Sequence, residues 1–180
     1  FELEGEVLAL IREGQPASAA LEGDRVEVIL PRTGFYVEAG GQMSDQGTIV
    51  SAGAPNWEIA VEEMRKPAAG IITHVGRVVR GTPRVGDKVV ASVNGARRKD
   101  IMRNHTATHL LHAALHHVLG DHARQAGSLV APERLRFDFT HAEGMTPEQI
   151  ERVEAEVNGF ILENHKLQTR VKGLQQAIAE

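Results

Sequence analysis

The hydrophobic period of the 180-residue chain changes once, near residue 96, and that change divides it. Before it, residues 25–30, 57–62, 70–75 and 88–93 are short, partly alternating and rich in Val and Ile, the pattern of half-buried strands. Glycine- and proline-bearing turns separate them at residues 31–34, 39–41, 51–55 and 82–87. Short strands at regular spacing predict a small barrel or sandwich. Beyond residue 96, Leu110, Leu111, Ala114, Leu115, Val118 and Leu119 recur at helical steps, with Gly120 as a C-cap. Residues 128–130 and 135–139 read as strands, the second with Leu135, Phe137 and Phe139 on one face. Thr146, Pro147 and Gln149 spell a capping box with proline in the first turn. Ile150, Val153, Val157, Phe160 and Ile161 then make an apolar stripe. Residues 168–171 suit a strand, and residues 174–180 the start of a helix. The predicted class is α+β: a β-barrel-like domain over residues 1–96, then an incomplete α+β domain over residues 97–180.

Composition narrows the function classes. Hydrophobic residues at 42% and charged residues at 24% exclude disorder and collagen-like repeats. No apolar run approaches the ~20 residues that span a bilayer, and no secretory signal is legible; no membrane partner is expected. The chain has no cysteine, so it forms no disulfide and offers no thiolate ligand, which suits a reducing, cytoplasmic setting. A net charge of -4 gives no global attraction for nucleic acid. Binding of that kind would rest on the cluster Arg97, Arg98, Lys99 and Arg103, although a charge run is usually a solvated face. Phe35 and Tyr36 suit either base stacking or burial in a hairpin.

His105-Thr-Ala-Thr-His109 opens the strongest helical segment. Residues four apart share a helix face, with Cβ atoms roughly 5–6 Å apart, so two imidazoles can converge on one metal ion. Zinc needs three or four ligands, and this face supplies two. Position 106 is Thr, so the metalloprotease pattern H-E-x-x-H is absent. The alternative is two polar residues in the first turn of an amphipathic helix. His112, His116 and His117 read as ordinary surface or edge histidines. The glycine-rich segment from Thr33 to Gly47 is a hairpin loop or a binding loop, and Gln125 lines a pocket or solvates a turn.

Together these segments resemble one family. Arg103-Asn-His-Thr-Ala-Thr-His-Leu-Leu-His112 resembles the first zinc motif in the editing domain of alanyl-tRNA synthetases. Thr33-Gly-Phe-Tyr-Val-Glu-Ala-Gly-Gly-Gln42, with Asp45 and Gly47, resembles the glycine-rich segment upstream of it. Gln125-Ala-Gly-Ser-Leu-Val130 and Leu135-Arg-Phe-Asp-Phe-Thr-His141 match in the same order. The threonyl enzyme's editing domain and free-standing editing proteins share H-x-x-x-H, but Arg-Phe-Asp-Phe-Thr-His favours the synthetase.

The resemblance implies hydrolysis of tRNA(Ala) mischarged with serine or glycine. A pocket for alanine rejects neither strongly, so a second sieve is needed; synthetase editing is the standard worked example of this logic. It further implies that Thr33 binds the serine hydroxyl and Gln125 lines the pocket. His105 and His109 would hold zinc, and with Gln125 they would form the catalytic group. Arg97, Arg98, Lys99 and Arg103 would meet the acceptor end of tRNA(Ala). The family completes its zinc site with a later Cys-x-x-x-His, which this chain lacks; the site in this chain is therefore expected to be incomplete and to bind zinc poorly. Alanine ligation, with ATP and Mg, would belong to the rest of the parent chain. The other readings are a non-catalytic tRNA-binding or domain-packing module, or a degenerate free-standing editing protein.

Overall fold

A computed structural model describes residues 1–166, 168, 170–173 and 175–176. Eight strands from the first half make one antiparallel sheet: β1 (Glu2–Glu6), β2 (Ala9–Arg12), β3 (Gln15–Ala17), β4 (Arg25–Ile29), β5 (Gly47–Ser51), β6 (Glu58–Ala68), β7 (Ile71–Arg80) and β8 (Lys88–Val93). Their order is β1-β8-β5-β6-β7-β4-β2-β3. Alternation turns Val26 and Val28, Ile59 and Val61, and Val89, Ala91 and Val93 into a common core with Trp57. The Trp57 indole N–H donates to Asp87 Oδ2 at 2.7 Å, which satisfies its polar atom as burial requires.

β4 and β8 lie where the alternation predicts them, whereas β6 and β7 begin there and run on to Ala68 and Arg80, beyond the expected residues 62 and 75. β1, β2, β3 and β5 are additions, and two carry weak signals for physical reasons. β1 alternates glutamate with Leu3 and Gly5. β3 contains Pro16 and lies at an end of the sheet, where a missing N–H is tolerated.

The structure shows a mixed α and β chain with a large antiparallel sheet, and the barrel expectation is not confirmed. β1 and β3 end the sheet and do not pair with each other, so no ladder closes. Residues 7 and 8 instead join β1, paired with β8, directly to β2, paired with β4. Val7 N–H donates to Asp87 O at 3.0 Å and Leu8 N–H to Ile29 O at 2.9 Å. One continuous run of chain thus bridges two sides of the curled sheet, with Val7 wholly buried.

The second half holds α1 (Gly95–Leu119), the hairpin β9 (Gln125–Val130) and β10 (Leu135–Phe139), and α2 (Pro147–Glu163). α1 starts where the Asn94 side chain accepts Arg97 N–H at 3.1 Å. It stops at Gly120, whose φ of 104° suits a residue without Cβ. The expected capping box opens α2, with Thr146 N–H donating to Gln149 Oε1 at 2.8 Å and Gln149 N–H to Thr146 Oγ1 at 3.3 Å. Ala114, Leu115, Ala123 and Val153 form a second, smaller core against which Leu111, Phe137, Phe139 and Val157 pack. The α2 stripe is only partly covered, since Ile150 and Ile161 are 44% and 53% exposed. Gln168, Arg170 and Val171 carry no strand, and Thr169 lies outside the described residues. Gln175 and Gln176 are helical, whereas Leu174 and residues 177–180 also lie outside them. Among the described residues no helix is long and apolar enough to cross a membrane.

Candidate functional site

The glycine-rich loop after β4 meets the N-terminal half of α1. Gly40 and Gly41 have φ of 59° and 80°, conformations open to glycine at little cost. Gln42 N–H closes a turn onto Ala39 O at 3.0 Å, while Val130 N–H donates to Gly41 O at 2.8 Å and Met43 N–H to Val130 O at 3.0 Å. β9 thus clamps the loop on both sides of Gln42. The Gln42 side chain is buried, and its Oε1 lies 2.6 Å from His105 Nδ1. The His105 and His109 rings stack, with centroids 5.0 Å apart and planes 22° from parallel. Asn104 Nδ2 donates to Ala131 O at 2.7 Å and Pro132 O at 3.1 Å, tying this turn of α1 to the end of β9.

The two imidazoles stand together as the spacing predicts. They are a suitable donor set for half of a zinc shell. Among the described residues no group of three or more His, Cys, Asp or Glu converges on one point.

The basic cluster divides. Arg97, Arg98 and Lys99 crowd the positive end of the α1 dipole, with no acidic residue in the first turn, so local helix electrostatics do not favour them there. Tertiary partners hold two of them. Arg97 Nη1 donates to Ser44 O at 2.8 Å. Arg98 Nε donates to Asp45 Oδ1 and Oδ2 at 2.8 and 2.9 Å, and its Nη2 reaches Asp45 Oδ2 and also Gly34 O at 2.9 Å. The Asp45 side chain is 2% exposed and also accepts Tyr36 N–H at 2.6 Å. Its carboxylate raises the Arg98 pKa further above an already high value. Lys99 and Arg103 are exposed, and Arg103 pairs with Asp100.

Thr33 is turned towards the sheet. His74 Nδ1 lies 3.1 Å from Val28 O, an atom that only accepts, so this nitrogen carries the proton. Its Nε2 therefore accepts the Thr33 hydroxyl at 2.8 Å, and Thr33 Oγ1 accepts Phe35 N–H at 3.0 Å. Burial holds His74 below its ordinary pKa, against a smaller opposing effect of the Val28 bond. Gln125 is exposed at the start of β9, paired with Phe139. Val130 lies five positions further on, about 16 Å along the strand. The structure therefore joins His105 to His109 and to Gln42, but shows no contact of Thr33 or Gln125 with that pair.

Gln42, Asp45 and His74 are the residues that the sequence assigned no role. Only His74 carried a local signal, as a polar residue inside an apolar alternating strand. His112 and His116 are not simple surface histidines either. Their rings meet edge-on at 4.5 Å, and the Nε2 atoms of both are buried with no hydrogen-bond partner among the described residues. Burial, then the neighbouring His116 and His109, lower the His112 pKa.

Comparison with known proteins places the chain beside the tRNA synthetases. Residues 1–97 match the family model "tRNA synthetases class II (A)". The chain is 46% identical over 173 residues to the alanine–tRNA ligase of Herpetosiphon aurantiacus, covering 96% of this chain and 19% of that protein. The alanine–tRNA ligases of Chloroflexus aurantiacus and Myxococcus xanthus are 45% and 48% identical over 173 and 174 residues, covering 96% and 97% of this chain. The chain spans about a fifth of the length of these relatives, 19% in each case.

Proposed function

Since the chain belongs to the class II (A) tRNA synthetase family, we propose that it is the editing region of an alanine–tRNA ligase and takes part in hydrolysing tRNA(Ala) mischarged with serine or glycine. The observation that carries this reading is the His105–His109 pair, stacked at 5.0 Å beside the Gln42 loop, in a chain so similar to alanine–tRNA ligases. Residues 1–96 and 97–180 are taken as its two units, the second of the alanyl/threonyl editing type.

In this reading, His105 and His109 hold zinc together with ligands from outside the described residues. The metal would supply Lewis acidity at the ester carbonyl or a more acidic water. His105 and His109 orient that centre from one helix face. Thr33 keeps one lone pair for a substrate hydroxyl beyond its bonds to His74 and Phe35, and Gln125 keeps its exposed amide. Lys99 and Arg103 are the exposed cations for the tRNA(Ala) acceptor end, Arg103 through exchange of its Asp100 partner, with Arg97 and Arg98 shaping the surface behind them. Alanine ligation with ATP and Mg would fall to the rest of the parent chain, in the cytoplasm.

The test is hydrolysis of seryl-tRNA(Ala) by the parent protein carrying His105→Ala and His109→Ala. Lost hydrolysis with retained tRNA binding is expected. Unchanged hydrolysis removes both histidines from the mechanism. A packing or tRNA-binding module without catalysis is the second reading, favoured by the lack of a third convergent ligand among the described residues.

A further inference from the structure

Resting on that reading, we infer that Gln42 is the positioning residue of His105, fixing which ring nitrogen carries the proton and which is left to bind. His105 Nδ1 lies 2.6 Å from Gln42 Oε1. An amide carbonyl oxygen only accepts hydrogen bonds, so His105 donates Nδ1–H. Its lone pair is then on Nε2, which holds no hydrogen bond among the described residues. The partner on one ring nitrogen sets the role of the other, and here that partner comes from outside the helix.

Gln42 is itself held in place. It is 7% exposed, and its neighbours Gly41 and Met43 are both bonded to Val130. A Cβ on Gly41 would lie 2.2 Å from Ser128 O, so the loop rests on β9 without slack. The position of β9 therefore reaches His105 through Gly41 and Gln42. His109 is exposed and has no such partner among the described residues; its ring is located by the stack on His105. The pair is asymmetric, with one imidazole pre-oriented and the other adjusting to it. An incoming divalent cation meets His105 Nε2 as the prepared donor.

The experiment is long-range proton–nitrogen NMR of the histidine rings in this metal-free chain, followed by titration of the parent protein with zinc alone. In the wild type His105 is expected in the Nδ1–H form. Gln42→Leu removes the acceptor: the Nδ1–H form gives way to a tautomer mixture, and zinc affinity falls about 10–100-fold, the usual effect of losing an orienting partner. Gln42→Glu keeps an acceptor oxygen at the same reach and retains the Nδ1–H form. A wild-type His105 protonated at Nε2, or a Gln42→Leu chain with the tautomer unchanged, overturns the assignment. Because hydrolysis is not the readout, a chain with the expected tautomer but no editing activity supports the positioning role and counts only against the editing reading.

Discussion

The Thr33 hydroxyl donates to Nε2 of His74 across 2.8 Å, so the start of the glycine-rich loop hangs on one neutral imidazole buried in the sheet. Protonating His74 would turn that acceptor into a donor. Its folded pKa lies below the ordinary 6.5, so near and below pH 6.5 the unfolded chain binds more protons. This stabilising contribution is complete above pH 6.5 and is lost as pH falls towards the depressed folded value. The expected slope is at most about 1.4 kcal/mol per pH unit for this proton. His112, also depressed, adds its own share. Urea titrations between pH 7 and 5 should show a shallower slope in His74→Gln, and an identical slope would exclude His74 as the source.

Arg98→Ala leaves the Asp45 carboxylate, 2% exposed, without its charge partner. Removing one member of a buried pair typically costs 3–5 kcal/mol, and water reaching the 20%-exposed Arg98 side argues for the low end, about 3 kcal/mol. Chemical denaturation of the variant measures it. A loss under about 1 kcal/mol would mean that the pair behaves as a surface contact.

Lys99→Ala and Arg103→Ala should behave oppositely. Both side chains are exposed, so stability should stay within about 0.5 kcal/mol of the parent. If they meet the tRNA backbone, affinity for tRNA(Ala) falls and the slope of log K against log salt drops by about one per lost phosphate contact. Binding isotherms at several salt concentrations decide this, and an unchanged slope would assign the tRNA surface elsewhere.

Gly41→Ala and Gly40→Ala form an internal control. Both sites have positive φ, which costs a side chain roughly 1–2 kcal/mol. Gly40 has open space around its Cβ position, whereas a Cβ added at Gly41 would lie 2.2 Å from Ser128 O. Gly41→Ala must therefore move backbone and should exceed the loss in Gly40→Ala by at least about 1 kcal/mol. Equal losses in thermal or urea unfolding would show that the loop does not press on β9.

The legible parts of this fold are those governed by period and by capping. The β4 and β8 strands, the starts of β6 and β7, the part of α1 from His105 onwards and the Thr146–Gln149 box each follow from patterns within a dozen residues, whereas α1 begins ten residues earlier, at Gly95. β1 and β3 escaped because an edge strand tolerates glutamates and a proline that a central strand would reject. The curl escaped because it is made by Val7 and Leu8 bonding to residues 80 and 21 positions away, Asp87 and Ile29.

For the candidate site the division has the same cause. Four-residue spacing alone brought His105 beside His109, since a helix fixes that neighbourhood whatever surrounds it. Which cation is held by Asp45, which ring nitrogen of His105 is left open, and where Thr33 points were settled by contacts 41 to 63 residues apart in the chain. Helix geometry is a local property of the backbone. The availability of a charge or a lone pair depends on what tertiary packing places against it.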